Sequence, residues 1–143
     1  MQRRRVLGVL LAAVALAACS RGDPEKALRA TIAAMALAIE QHRVGDALEP
    51  LTEDFSRESG AFGKQDARRL LAASMLRNEK IQLSATVTAL RIEGDRAFAT
   101  VRVIAAGGSS LLPDRGQTWE FDTAWRRDGA QWKLFNAEWR EGL

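Results

Sequence analysis

The chain changes its hydrophobic period at IQLSATVT (residues 81–88), where apolar and polar side chains alternate without interruption. Successive side chains of a strand point to opposite faces of a sheet, so this period of two predicts a half-buried strand. Leu90 and Ile92 continue the apolar series on the other parity, which predicts a β-bulge just before them. The stretch therefore marks the border between a helical half and a β half of the chain.

Three further strands are predicted after this stretch. Alternation and turn residues place them at 96–106, 117–127 and 131–140, with tight turns at Gly94-Asp95 and Asp128-Gly129. Strands that follow one another through short turns pair as antiparallel neighbours. The C-terminal half is thus predicted to be a four-stranded antiparallel meander.

Three helices are predicted before the first strand. The first is capped by Asp23, begins at Pro24 and runs to about residue 43, because apolar side chains recur at helical spacing at Leu28, Ile32, Met35 and Ile39. Asp46 caps a short second helix that breaks up near Phe55. Residues 65–77 form the third, whose predicted inward side chains are Ala67, Leu70, Leu71 and Met75. Helices followed by an antiparallel sheet make an α+β fold class.

The N-terminus has the pattern of an export signal. Arg3, Arg4 and Arg5 precede an uncharged apolar run at 6–18, which is shorter than the roughly 20 residues of a membrane-spanning helix. The run ends in Leu16-Ala17-Ala18-Cys19, which resembles the lipobox of bacterial lipoproteins, and Cys19 is the only cysteine. We therefore predict a removed signal peptide at 1–18, a lipidated Cys19 with a short tether at 19–22, and one domain at 23–143. An ordinary signal peptide with a stray thiol is the alternative.

Charge and the residue after Cys19 bear on location and partners. The 143-residue chain has a net charge of +3, which the three N-terminal arginines supply, so the predicted mature chain is formally neutral. A nucleic-acid-binding protein needs a surplus of basic residues, so this class of partner is not expected. In lipoproteins of many Gram-negative bacteria an Asp after the lipidated Cys retains the protein at the inner membrane, and here Ser20 follows. The resemblance implies anchoring to the outer membrane, with the domain facing the periplasm.

The mature chain resembles the nuclear transport factor 2-like superfamily, also called SnoaL-like or cystatin-like cone folds. The resemblance rests on four segments in order, at 45–55, 94–99, 125–129 and 131–134, and it spans about residues 23–140. It implies a curved, cone-shaped sheet wrapped over the first helix, with a cavity that is an active site in some members and a binding pocket in others. It also implies possible dimers through the outer sheet face. Residues 56–63 look too short for an extra hairpin that many members carry before the third helix.

Few residues suit catalysis in such a cavity. The chain has no tyrosine, and its one histidine, His42, continues the apolar seam of the first helix near the predicted cavity rim. Its imidazole either binds free carbonyls of the helix end or acts as a general base with Asp122 or Glu138. If Trp119, Phe121 and Trp125 face the core, Glu120 and Asp122 face outward, and a hydrolase using paired carboxylates would need the opposite orientation.

The four tryptophans lie on the last two predicted strands. Trp119, Trp125, Trp132 and Trp139, with Phe121, are candidates for a pocket wall, a subunit contact or simply core. The last strand is apolar on both faces, which favours cover from both sides and hence a homodimer. Residues 107–110 lack the Lys and helix of a phosphate-binding loop and are interpreted as a flexible hairpin loop. No metal-binding spacing is present, and no cofactor is expected.

These features favour a membrane-anchored, periplasm-facing lipoprotein that binds a small apolar or amphipathic molecule, or a protein partner, without catalysis. The alternative from another class is a SnoaL-like hydrolase or isomerase that uses His42 with Asp122 or Glu138. A third hypothesis is a structural adaptor in envelope assembly. The sequence does not name a ligand or partner.

Overall fold

The computed structural model describes residues 22–57, 60–108 and 116–142. The predicted signal peptide, its lipobox residues Leu16, Ala17 and Ala18, and the lipidation site Cys19 lie outside the described residues, as does most of the loop after residue 108. Within the described ranges, no helix combines the length and the apolarity that crossing a bilayer requires.

Helix α1 spans Pro24–Glu40 and begins as predicted, because the Asp23 carboxylate accepts hydrogen bonds from the backbone N–H groups of Glu25 and Lys26. The helix ends at Glu40, before the predicted end near residue 43. The Arg43 N–H donates to the carbonyl of Ala38 and the His42 N–H to that of Ile39, which is the Schellman pattern. His42 adopts a left-handed backbone conformation with φ of 58°. This turn stops the helix at Glu40 and carries His42 off the apolar seam into solvent.

The segment after α1 differs from the prediction. Helix α2 is only Val44–Leu48, and Asp46 lies in its first turn, paired with Arg43 at 2.7 Å, instead of capping it. Strand β1 follows at Leu51–Arg57. Leu48 and Leu51 are both buried at a spacing of three, which is also the spacing of a helix face, but the first ends a helix and the second begins a strand.

A small hairpin precedes the last helix. Strand β2, Phe62–Gly63, pairs antiparallel with the end of β1, so the segment that looked too short for a hairpin does contain one. Helix α3 spans Lys64–Arg77 and begins where the Asp66 carboxylate accepts the Gly63 N–H at 2.8 Å. Met75 is buried as predicted, whereas Leu70 is 50% exposed and does not face inward.

The sheet has six strands instead of the four predicted. The long strands are β3 (Lys80–Glu93), β4 (Arg96–Gly108), β5 (Gln117–Asp128) and β6 (Gln131–Glu141), and the sheet order is β2-β1-β6-β5-β4-β3. The meander of β3 to β6 is antiparallel as predicted, and β1 is added parallel to β6. The predicted bulge in β3 is confirmed by a register shift between Val87 and Ala89.

A second bulge, in β6, explains why that strand is apolar on both parities. Trp125 pairs with Leu134, but Ala124 pairs with Asn136, so Phe135 has no partner on β5. The extra residue changes the parity of the strand. Trp132 and Leu134 before it and Ala137 and Trp139 after it therefore all face the concave side of the curved sheet, against α1. We call the two sides of the sheet the concave and the convex face.

The core lies between α1 and the concave face. Its most deeply buried large side chains are Leu28, Trp125 and Trp132, and the Trp132 Nε1–H donates to the Pro24 carbonyl at 3.0 Å. The Trp125 Nε1–H donates to the Thr123 hydroxyl at 2.8 Å, and that hydroxyl donates to the Ala99 carbonyl at 2.6 Å. Each buried indole N–H thus has an acceptor, which avoids the cost of an unsatisfied polar group.

We expect Thr123→Val to lower the free energy of unfolding by about 1–3 kcal/mol, because it keeps the side-chain volume but removes the acceptor of the Trp125 indole. Equilibrium denaturant unfolding measures this. Thr86→Val on β3, where the side chain is exposed, is the control and should change stability by less than about 0.5 kcal/mol. Equal effects of the two substitutions would contradict the role given to the Thr123 hydroxyl.

Candidate functional site

Three aromatic side chains form a partly exposed group on the concave face. Trp139 of β6 contacts Phe62 of β2 edge to face, with ring centroids 5.3 Å apart and planes at 79°, and Phe121 of β5 with centroids 5.7 Å apart. We call Phe62, Phe121 and Trp139 the aromatic cluster. Trp119 is on the same face of β5, two residues before Phe121, and is also partly exposed. These side chains offer apolar surface that the core does not fully cover.

An arginine is fixed against the aromatic cluster. The guanidinium carbon of Arg57 lies 3.9 Å from the centroid of the Trp139 ring, and its Nη2 donates to the Trp139 carbonyl at 2.9 Å. This stacking is a cation–π contact combined with a hydrogen bond to the same residue. It fixes the position of the Trp139 ring from the side of β1.

The structure separates the aromatic residues predicted for a pocket or interface into a buried group and a partly exposed group. Trp125 is 1% and Trp132 is 2% exposed, so both are core and neither lines an open surface. Trp119, Phe121 and Trp139 are partly exposed on the concave face. The homodimer stays a prediction, but the bulge at Phe135 places Trp132, Leu134, Ala137 and Trp139 on one face and leaves only Phe135 on the other, beside Arg96 and Arg126.

The concave positions of β3 to β6 carry one acidic side chain, the exposed Glu141 at the last position of β6, and no Asp or His side chain. The buried polar side chain there, Thr123, is engaged with Trp125 and Ala99. General acid–base catalysis needs a titratable group within hydrogen-bond reach of the substrate. Apart from this terminal carboxylate, the concave face of these four strands therefore offers apolar contact and no titratable group of that kind.

Two of the three candidate catalytic residues come together, but on the convex face. Asp122 and Glu138 are opposite each other on β5 and β6 and line a groove of about 410 Å³ together with Phe98, Arg91 and other residues. The Asp122 carboxylate accepts from the Thr100 hydroxyl at 3.0 Å and from Arg140 at 3.3 Å. We call this groove the convex groove.

His42 does not join these carboxylates. It is exposed just beyond the end of α1, and it lines neither the convex groove nor the cleft described next. The hydrolase or isomerase hypothesis required His42 and a carboxylate to converge in one cavity, and the described residues do not provide that arrangement.

A second cleft, of about 830 Å³, lies beside the start of β1 and is strongly charged. Its lysines and arginines are largely paired with carboxylates of the same cleft, as in Arg126–Asp54 at 2.7 Å and Lys64–Glu53 at 3.0 Å. The Thr52 hydroxyl and the Arg126 guanidinium hold the pKa of the Asp54 carboxyl below its usual value. The Asp54 carboxylate therefore stays ionised at neutral pH beside Arg126, and much of the positive charge of the cleft is balanced within it.

Sequence reasoning missed Phe62 and Arg57. Both belong to residues 56–63, for which the sequence predicts a polar loop after the second helix. In the structure Arg57 and Phe62 pair directly in the β1–β2 hairpin. The only signal for this hairpin was the resemblance itself. In the described part of the chain, no group of three or more His, Cys, Asp or Glu side chains could hold a metal ion.

Comparison with known proteins finds likeness in structure only. No protein-family model matches the sequence, and no curated protein matches it. A protein provisionally assigned as a scytalone dehydratase, from Novosphingobium aromaticivorans, superposes with a TM-score of 0.71 at 12% identity over 83% of this chain and 84% of that one. A provisionally assigned dehydratase of the nuclear transport factor 2-like family, from Streptomyces avermitilis, gives 0.70 at 18% identity over 84% and 97%.

A third solved structure is a nuclear transport factor 2-like protein with a cystatin-like fold, also from Novosphingobium aromaticivorans. It superposes with a TM-score of 0.67 at 17% identity over 91% of this chain and 86% of that one. At these identities the likeness concerns the backbone alone, and the same fold carries unrelated functions. The chain therefore has the α+β, cone-like nuclear transport factor 2-like fold, with N-terminal helices and a curved, unclosed sheet of six strands.

Proposed function

We propose that this protein is a lipoprotein of the bacterial cell envelope that binds a small apolar or amphipathic molecule at the aromatic cluster and does not catalyse a reaction. It is anchored through Cys19 to the outer membrane and faces the periplasm. The observation that carries the binding role is the partly exposed group of Phe62, Phe121 and Trp139, on a concave face whose four long strands carry no imidazole and only the terminal carboxylate of Glu141.

The anchor is argued from the N-terminal sequence. The basic start, the apolar run of 6–18 and Leu16-Ala17-Ala18-Cys19 together have the order that lipoprotein export requires. Acylation also accounts for a single cysteine in an exported chain, where an unpaired thiol has no disulfide partner. Each buried methylene of an acyl chain contributes about 0.8 kcal/mol, so several chains on one residue hold the protein at the membrane.

The binding role is argued from the chemistry of the cluster. Aromatic side chains give large apolar contact areas with few rotatable bonds, which is typical of small-molecule sites. The solved structures assigned as dehydratases share only the fold with this chain. A dehydratase must move protons, and the concave positions of β3 to β6 hold no imidazole and a single carboxylate, that of the exposed Glu141 at the end of β6. This difference favours binding over catalysis.

Lipidation is tested by expressing the full chain in a Gram-negative host and measuring the intact mass of the mature protein. We expect a chain that begins at Cys19, carries acyl groups and sediments with outer membranes, whereas a Cys19→Ser variant should carry none. A Ser20→Asp variant should stay acylated but fractionate with inner membranes. An unmodified mature chain in the soluble periplasm would refute the anchor.

Ligand binding is tested on residues 20–143, exported behind an ordinary signal peptide and titrated with the neutral fluorescent probe N-phenyl-1-naphthylamine. We expect saturable binding that Phe121→Ala weakens by about tenfold, equivalent to about 1.4 kcal/mol of lost aromatic contact. Phe98→Ala is the matched control, because Phe98 is a partly exposed phenylalanine on the neighbouring strand and lines the convex groove instead.

Two outcomes would overturn the binding proposal. The first is equal loss of probe affinity in the Phe121 and Phe98 variants, which would place the probe elsewhere. The second is no saturable binding by the unaltered domain, together with copurification of a stoichiometric protein partner, which would support the structural adaptor in its place.

A further inference from the structure

The point where the predicted anchor joins the domain is fixed by the core. The Pro24 carbonyl accepts the indole N–H of Trp132 at 3.0 Å, and Trp132 is nearly fully buried. Trp132 pairs with Arg127, one residue pair from the start of the β5–β6 turn. The start of α1 is therefore held beside that turn and cannot move independently of the sheet.

The β3–β4 turn lies at the same end of the domain, because the Arg127 N–H donates to the Asp95 carbonyl at 2.9 Å. We call the start of α1, the β3–β4 turn and the β5–β6 turn the anchor end. The opposite end of the strands, where Trp119 pairs with Glu141 and Lys80 with Gly108, we call the open end.

The open end also carries the end of α3. A Cβ atom at Gly107 would come within 2.6 Å of the Asn78 side chain, so the residue that follows α3 lies directly against β4. Leu76, two residues earlier, is 88% exposed. The aromatic cluster lies toward this end, because its members on β5 and β6, Phe121 and Trp139, pair only two positions from Trp119 and Glu141.

The distance between the two ends exceeds the reach of the tether. Eight residues of β5 separate Arg127 from Trp119, which at a rise of about 3.3 Å per residue is roughly 26 Å. Cys19 is five residues from Pro24, so even a fully extended chain spans at most roughly 18 Å between them. If the open end touched the bilayer, Pro24 would stand too far from it for Cys19 to be anchored.

Exposed apolar side chains support the same direction. The large hydrophobic side chains that are exposed in the described ranges lie away from the anchor end, at Leu37, Leu70, Leu76 and Ile104. The anchor end presents charged and small residues, among them Asp95, Asp128 and Ala130, which do not favour insertion between acyl chains.

We infer that the anchor end of the domain rests on the lipid surface, so that the open end and the aromatic cluster face away from the bilayer and take their ligand from the aqueous side. This inference rests on the proposed lipidation of Cys19. It adds that the membrane holds the protein in place and that the ligand does not pass directly from the bilayer into the site.

Single labelled positions test this orientation on the lipidated full-length protein. Acylation converts the Cys19 thiol to a thioether, so a cysteine introduced at the surface is the only free thiol. Ala130→Cys at the anchor end and Leu76→Cys at the open end are both exposed positions. Each is labelled with a nitrobenzoxadiazole fluorophore and reconstituted in phosphatidylethanolamine–phosphatidylglycerol vesicles that contain lipids with a nitroxide on the headgroup.

We expect the headgroup nitroxide to quench most of the fluorescence at position 130 and little at position 76. Insertion of about ten Gly and Ser residues after Gly22 lengthens the reach by at most roughly 36 Å and should remove the contrast between the two positions. Equal quenching at both positions with the native tether, or stronger quenching at position 76, would overturn the orientation.

The same samples separate this inference from the proposed function. An intact mass without acyl groups at Cys19 refutes the anchor, and the orientation falls with it. An acylated protein whose position 76 is quenched as strongly as position 130 refutes the orientation alone. The substitutions leave the aromatic cluster unaltered, so probe binding at that site is measured independently.

Discussion

The unpaired residue Phe135 in β6 is the constraint on which the rest of the structure depends. Because it changes the parity of the strand, Trp132 and Leu134 reach the same face as Ala137 and Trp139. A regular strand would send one of these pairs to the convex side, away from the core or from the aromatic cluster. The bulge thus creates both the core at one end of β6 and the aromatic cluster toward the other.

The fold could be predicted from sequence where one period continues for many residues. β3 to β6 are each at least 11 residues long, and their order and both short turns follow from these long β-type segments and the turn residues between them. The boundary between the short elements α2 and β1 was not predicted, because Leu48 and Leu51 fit a helix and a strand equally well. The end of α1 was missed because His42 occupies a left-handed position that glycine usually takes, and no residue type signals that exception.

The candidate site was predictable only in part, for a related reason. Phe121 lies on a long strand whose faces follow from alternation, whereas the face of Trp139 depends on a bulge that the sequence indicates only through apolar residues on both parities of β6. Arg57 and Phe62 reach the site through a hairpin whose second strand has two residues. A contact made across such a short element depends on tertiary pairing, which local periodicity does not encode.

One strand links the anchor to the site. Trp132 binds the start of α1, and Trp139, seven residues later on β6, forms the centre of the aromatic cluster. Those seven residues extend over roughly 23 Å of a strand that is paired with β5 along this stretch and with β1 over its middle part, so the separation is set by a rigid element and not by a flexible loop. With a lipidated Cys19, the length of the sheet would fix how far above the bilayer a ligand is held. A ligand that begins in the membrane would have to leave it completely before reaching the cluster.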